Sequence, residues 1–168
     1  MITKNDFAAA DWSTLRDTPY LVGLATLSAG SSGLGTIKES VAIAQGIAEN
    51  QASNFPIIRD LTSGAEMEAA QGSLRGLLGV NQGMPSTDNL QRIALEKVRT
   101  SVSLLTSKAT AEEVDDYRRL LYGLAEKVAN AAREGGILGF GGTQVSEGEQ
   151  AFLDDLRNTL QLERTKRA

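Results

Sequence analysis

Apolar residues recur along most of this chain at alternating steps of three and four, the period that places side chains on one face of an α-helix. The clearest stripe follows Thr110, where Val114, Tyr117, Leu121, Leu124, Val128 and Ala131 mark out a bundle-like seam. A second runs through Ile37, Val41, Ala44 and Ala48, widened by Ile43 and Ile47, and ends near Asn50. Met67, Ala70, Leu74, Leu77 and Leu78 trace a third, with Gly79 as its stop. A fourth carries Leu90, Ile93, Ala94, Val98, Val102 and Leu105 behind an N-cap at Ser86 or Thr87, and the last shows Phe152, Leu153, Leu156 and Leu160.

Local punctuation agrees with these periods. A serine or threonine followed three residues later by glutamate forms a capping box, in which hydroxyl and carboxylate satisfy otherwise orphaned amides. It occurs at Thr36 with Glu39, Ser63 with Glu66, Thr110 with Glu113, and Ser146 with Glu149. Upstream, Trp12 and Leu15 predict a short first helix, and Pro19 is read as the first residue of a second, because its missing amide is an orphan at that position anyway. From Pro19 to Ala29 almost no polar face remains, so this segment is expected at the centre of the bundle, with Gly23 and Ala25 small enough for neighbouring backbones to approach. The expected architecture is an all-α, single-domain bundle of six or seven helices spanning residues 1–168, with an apolar central helix near 19–29.

Composition narrows the chemistry. Hydrophobic residues make up 41% of the 168 and charged residues 23%, ordinary globular usage. Histidine and cysteine are both absent, which removes imidazole acid–base catalysis, thiol nucleophiles, thiolate metal sites and disulfides together. With 17 basic against 21 acidic residues the net charge is −4, and no basic cluster suited to nucleic acid precedes the tail residues Arg164, Lys166 and Arg167, which fit the carbonyl end of a helix. No residue is charged between Asp17 and Lys38, 20 positions of bilayer-spanning length, but 11 of them are glycine, proline, serine or threonine, which argues against membrane insertion. The N-terminus lacks the basic patch and apolar run of a secretory signal, so a cytoplasmic location is expected.

Two glycine-rich turns stand out, Gly30 to Gly35 and Gly135 to Gly142. A phosphate loop would need Gly-Lys-Ser/Thr, yet Gly35 is followed by Thr36-Ile37-Lys38, and a dinucleotide fingerprint would have to leave a strand. The glycines are therefore read as helix ends and reversals. Ile137, Leu138 and Phe140 either tuck into the core or form a short extended segment. Glu134-Gly-Gly-Ile-Leu-Gly-Phe-Gly-Gly-Thr-Gln-Val-Ser-Glu-Gly-Glu149, together with Trp12, Val22-Gly23-Leu24 and Gly33-Leu34-Gly35, resembles a group of uncharacterised bacterial all-helical proteins. That resemblance covers both ends of the chain and leaves its middle open. It implies a bacterial, soluble, helical protein and brings no catalytic residue with it.

Specific chemistries fit poorly. A two-iron bundle site needs Glu-x-x-His, and Glu112, Glu113, Asp115, Asp116 and Glu126 all fall beside the Val114–Ala131 seam, where they read as solvated surface. Calcium-loop spacing is missing. Lys38 near Ser40, and Ser107 before Lys108, are too close in sequence to face one another on a helix. Trp12, Tyr20 and Tyr117 are read as core. The expected role is non-catalytic association, with a second copy or another protein and without cofactor or nucleic acid, because the apolar helix surface exceeds the ordinary needs of one domain. The alternative is lipid or a small apolar ligand at the uncharged 18–37 segment. Candidate interaction or hinge residues are Leu21, Leu24, Leu27, Gly33, Gly35, Gly139, Phe140 and Gly141.

Overall fold

Pro19 lies inside a helix, not at its start. In the computed structural model, which describes residues 1–30, 37–77, 85–134 and 145–162, Trp12, Leu15 and the apolar 19–29 segment belong to one helix, α1, Ala9–Ala29. The expected break between two helices does not occur. A mid-helix proline has no N–H for the carbonyl four residues back, here that of Leu15, and Leu15 is wholly buried, so water is not available to it. The hydroxyl of Tyr117, itself fully buried, donates to the Leu15 oxygen at 2.9 Å from another helix. Thr18, beside the proline, is buried as well and donates its hydroxyl to the Thr14 carbonyl at 2.7 Å. A tertiary hydrogen bond thus overrides the local rule that would have ended the helix.

The remaining helices are α2, Ile37–Ala48; α3, Pro56–Leu61; α4, Gly64–Leu77; α5, Thr87–Thr106; α6, Ala111–Glu134; and α7, Glu147–Leu160. Seven α-helices and no strand are present among the described residues, which makes the protein all-α. α3 has no counterpart in the sequence reading, because six residues are too few to display a period; Pro56 starts it, and Ile57, Ile58 and Leu61 are buried.

α1 packs against α2, α4, α5, α6 and α7, so its apolar C-terminal half occupies the middle of the bundle. Gly23 is required there, since a Cβ on it would stand 2.8 Å from Cγ1 of Ile43 on α2. Val114, Tyr117, Leu121, Leu124 and Val128 of α6 are all buried, as the seam predicts. α7 returns to the end of α1 so closely that a Cβ on Gly148 would come within 2.5 Å of the Ala29 carbonyl oxygen.

Tyr117→Phe is expected to cost about 2 kcal/mol by leaving the Leu15 carbonyl buried without a donor. In a Pro19→Ala background, where residue 19 regains an amide for that carbonyl, the same substitution costs about half as much; equal costs by urea denaturation in the two backgrounds would contradict this account. Gly148→Ala is expected to destabilise by about 1–3 kcal/mol, because backbone blocks the added methyl. Gly123→Ala, on the exposed side of α6 with nothing within 4 Å, is expected to stabilise by about 1 kcal/mol, and the opposite order of melting temperatures would refute the packing described.

Candidate functional site

Among the described residues three glutamates are buried, and each is held by hydrogen bonds near a helix start or a chain end. Glu113, in the first turn of α6, is fully buried although its sequence position suggests surface. The Thr110 amide donates to its Oε2 at 3.0 Å, the Glu113 amide donates to the Thr110 hydroxyl at 3.3 Å, and the Ile2 amide donates to Oε1 at 2.9 Å. The capping box therefore forms as expected, and its spare oxygen ties down the N-terminal segment. Burial pushes the Glu113 carboxyl up, but hydrogen bonds from Thr110 and Ile2 outweigh it and leave the group below its ordinary range.

Glu66 follows a different course from its sequence reading. Instead of closing a box with Ser63, its carboxylate turns to α1 and the N-terminal segment. It accepts from Lys4 through Oε1 and from the Trp12 indole at 2.9 Å through Oε2, with Arg16 at 3.7 Å. Burial raises this carboxyl too, and the Lys4 and Trp12 hydrogen bonds with the charges of Lys4 and Arg16 bring it below the usual value. Lys4 also lies over the Trp12 ring, 5.6 Å from its centroid. The network continues through Arg16 to Asp17 at 2.7 Å and from Asp17 to the Ser73 hydroxyl at 2.6 Å. Glu149 completes the expected box with Ser146, accepting its amide at 2.9 Å.

Leu21 is fully buried, Leu27 is 6% exposed, and Leu24 is partly buried against the core. Lipid or ligand contact would need these three leucines at the surface; α1 spends them inside the bundle. Gly33, Gly35, Gly139, Phe140 and Gly141 lie outside the described residues, as do Thr36 and Gly79. Trp12, Tyr20 and Tyr117 are buried, in keeping with a core role. Among the described residues no three carboxylates gather within metal-binding reach, and no helix is long and apolar enough to cross a membrane.

Among the described residues the apolar excess expected from the stripes is largely consumed internally. Among the described residues only Met1 and Val41 are exposed large hydrophobics, and Val41 is 44% exposed. It stands on the outer side of α2 above the half-buried Ala44 and Ala48, while Ala42, Ile43 and Ile47 face inward. α2 rests on α6 through Gly46, where a Cβ would be 2.6 Å from Cδ1 of Leu124, and no other described residue covers Val41 enough to bury it. Periodicity had placed Val41, Ala44 and Ala48 on the buried stripe; the structure buries the neighbouring face. No family model matches the chain, and neither a curated protein nor a solved structure is similar to it.

Because Glu66 and Glu113 titrate below the ordinary carboxyl value of about 4.3, the stability they supply is fully present above that value and is lost as pH falls through their depressed native values. Acid titration of the folded fraction is expected to show a steep loss below about pH 4. Glu113→Gln should flatten that loss while lowering stability at neutral pH; an unchanged acid profile in the variant would oppose the assignment.

Proposed function

We propose that the protein is a non-catalytic helical module that pairs with a second copy of itself through the outer face of α2. Exposure of Val41 carries this reading: apart from Met1 it is the exposed large hydrophobic among the described residues, and it sits with Ala44 and Ala48 at helical spacing. Such small residues let two helices approach closely, and an isologous twofold contact needs only one patch of this kind on each chain. The lowered carboxyls of Glu66 and Glu113 support a structural role for the buried acids, since a general acid near neutrality requires a raised pKa. A cytoplasmic, bacterial setting accords with the absence of cysteine and with the glycine-turn resemblance.

Sedimentation velocity over a micromolar concentration series is expected to show a monomer–dimer equilibrium that Val41→Lys shifts to monomer, with the helical circular dichroism unchanged. A wild-type chain that remains monomeric throughout, or a Val41→Lys variant that dimerises equally well, would overturn the proposal.

A further inference from the structure

Residues 1–8 precede α1 and are tied to α3, α4, α6 and the turn between α5 and α6. Apolar burial contributes little to holding them. Met1, Lys4, Asn5, Asp6 and Ala8 are exposed, the single helical turn Lys4–Asp6 buries none of its residues, and Ile2 is partly buried. Phe7 is the one buried side chain of the segment, set against the Trp12 ring with centroids 6.3 Å apart. Among the described residues four hydrogen bonds join the segment to the rest of the fold, and three of them end on carboxylates. The Ile2 amide donates to Glu113 of α6 at 2.9 Å, the Lys4 amide to Asp60 of α3 at 3.2 Å, and the Lys4 ammonium to Glu66 of α4. The remaining one runs the other way, from the Lys108 ammonium to the Asp6 carbonyl at 2.9 Å. Asp6 closes the turn itself, its carboxylate accepting from the Thr3 amide at 2.8 Å and the Thr3 hydroxyl at 3.0 Å. Lys4 and Lys108 also lie over the Trp12 and Phe7 rings, 5.6 and 5.5 Å from their centroids.

A segment with few buried apolar contacts opens at lower free energy than the core it lies on, and charge-assisted hydrogen bonds are what close this one. We propose that residues 1–8 form an acid-released strap: protonation of the carboxylates that hold it lets it leave as a unit while the bundle stays folded, and uncovers the face of Trp12 that Phe7 and Lys4 occupy. A protonated carboxyl keeps a lone pair for an amide but no longer attracts an ammonium. Once Glu66 is neutral, the Lys4 ammonium loses its partner, and Arg16 of α1, its neighbour across Glu66, is already paired with Asp17 at 2.7 Å. Glu113 faces the Met1 ammonium, and Asp6 faces both that ammonium and Lys108. Glu66 and Glu113 titrate below the ordinary value of about 4.3 while the strap is closed, so closure is fully favoured above that value and fails as the pH falls through their native values.

Trp12 is the sole tryptophan, so acrylamide quenching of the full chain reads its accessibility directly, and far-ultraviolet circular dichroism on the same samples reads the bundle. As the pH is lowered from neutrality, accessibility of this indole, 4% exposed with the strap closed, is expected to rise about twofold below about pH 4.3 and before the helical signal falls. In nitrogen–proton correlation spectra the amides of Ile2, Lys4, Asp6 and Phe7 should move together to unstructured positions over that interval, while those of α6 stay in place. Lys4→Ala removes one tether at an exposed position and leaves the contacts between α-helices intact; it should shift the rise to higher pH without shifting the loss of helix. An indole that becomes accessible only as the helical signal is lost, strap amides that move independently of one another, or a Lys4→Ala variant that releases at the wild-type pH would each overturn the proposal.

Discussion

A single hydroxyl makes the centre of this bundle possible. Pro19 deletes an amide from the most buried helix at a depth where no solvent can take its place, and Tyr117 supplies the missing donor from the seam of α6. The bond fixes more than a carbonyl. It sets the register between α1 and α6, and with Thr18 and Ser101, both fully buried, it places a small polar cluster in otherwise apolar packing. Polar groups in such a place are tolerated only when paired, and pairing is directional, so the two helices can slide past one another only by breaking it. Burial also pushes the Tyr117 hydroxyl far above its usual range, which keeps it a neutral donor at every physiological pH.

The buried acids extend the same principle to the edges. Glu66, Glu113 and Glu149 each leave the aqueous phase in exchange for hydrogen bonds from amides, an indole or an ammonium, and each joins segments remote in sequence or closes a helix start. Lys4 and Ile2 are thereby fastened to α4 and α6, 62 and 111 positions away. At Glu66 and Glu113 the hydrogen bonds stabilise the charge rather than suppress it.

How much of this was legible depends on range. The α6 seam, the Ser146 and Thr110 boxes and the Ser86 cap were readable because three-to-four spacing and cap hydrogen bonds act within a few residues. Pro19 was misread because its remedy lies 98 positions downstream of the carbonyl's proline, in a tyrosine that looked like any other seam residue. Glu113 looked solvated because a helical wheel does not show a chain terminus folding over it, and Glu66 had a local partner available in Ser63 but stronger ones on α1. The apolar surplus was real in the sequence and misassigned in its destination: the bundle absorbs Leu21 and Leu27, and leaves Val41 outside.

The placement of α1 has a temporal consequence. α1 is made before α5, α6 and α7, which must enclose it, and Gly148 brings α7 against its last carbonyl. At about 5–20 residues per second, roughly 130 further residues must leave the ribosome before that enclosure is complete, an interval on the order of ten to twenty seconds. Throughout it the apolar half of α1 has no permanent cover, and the length of that exposure is set by the order of the helices along the chain rather than by their stability.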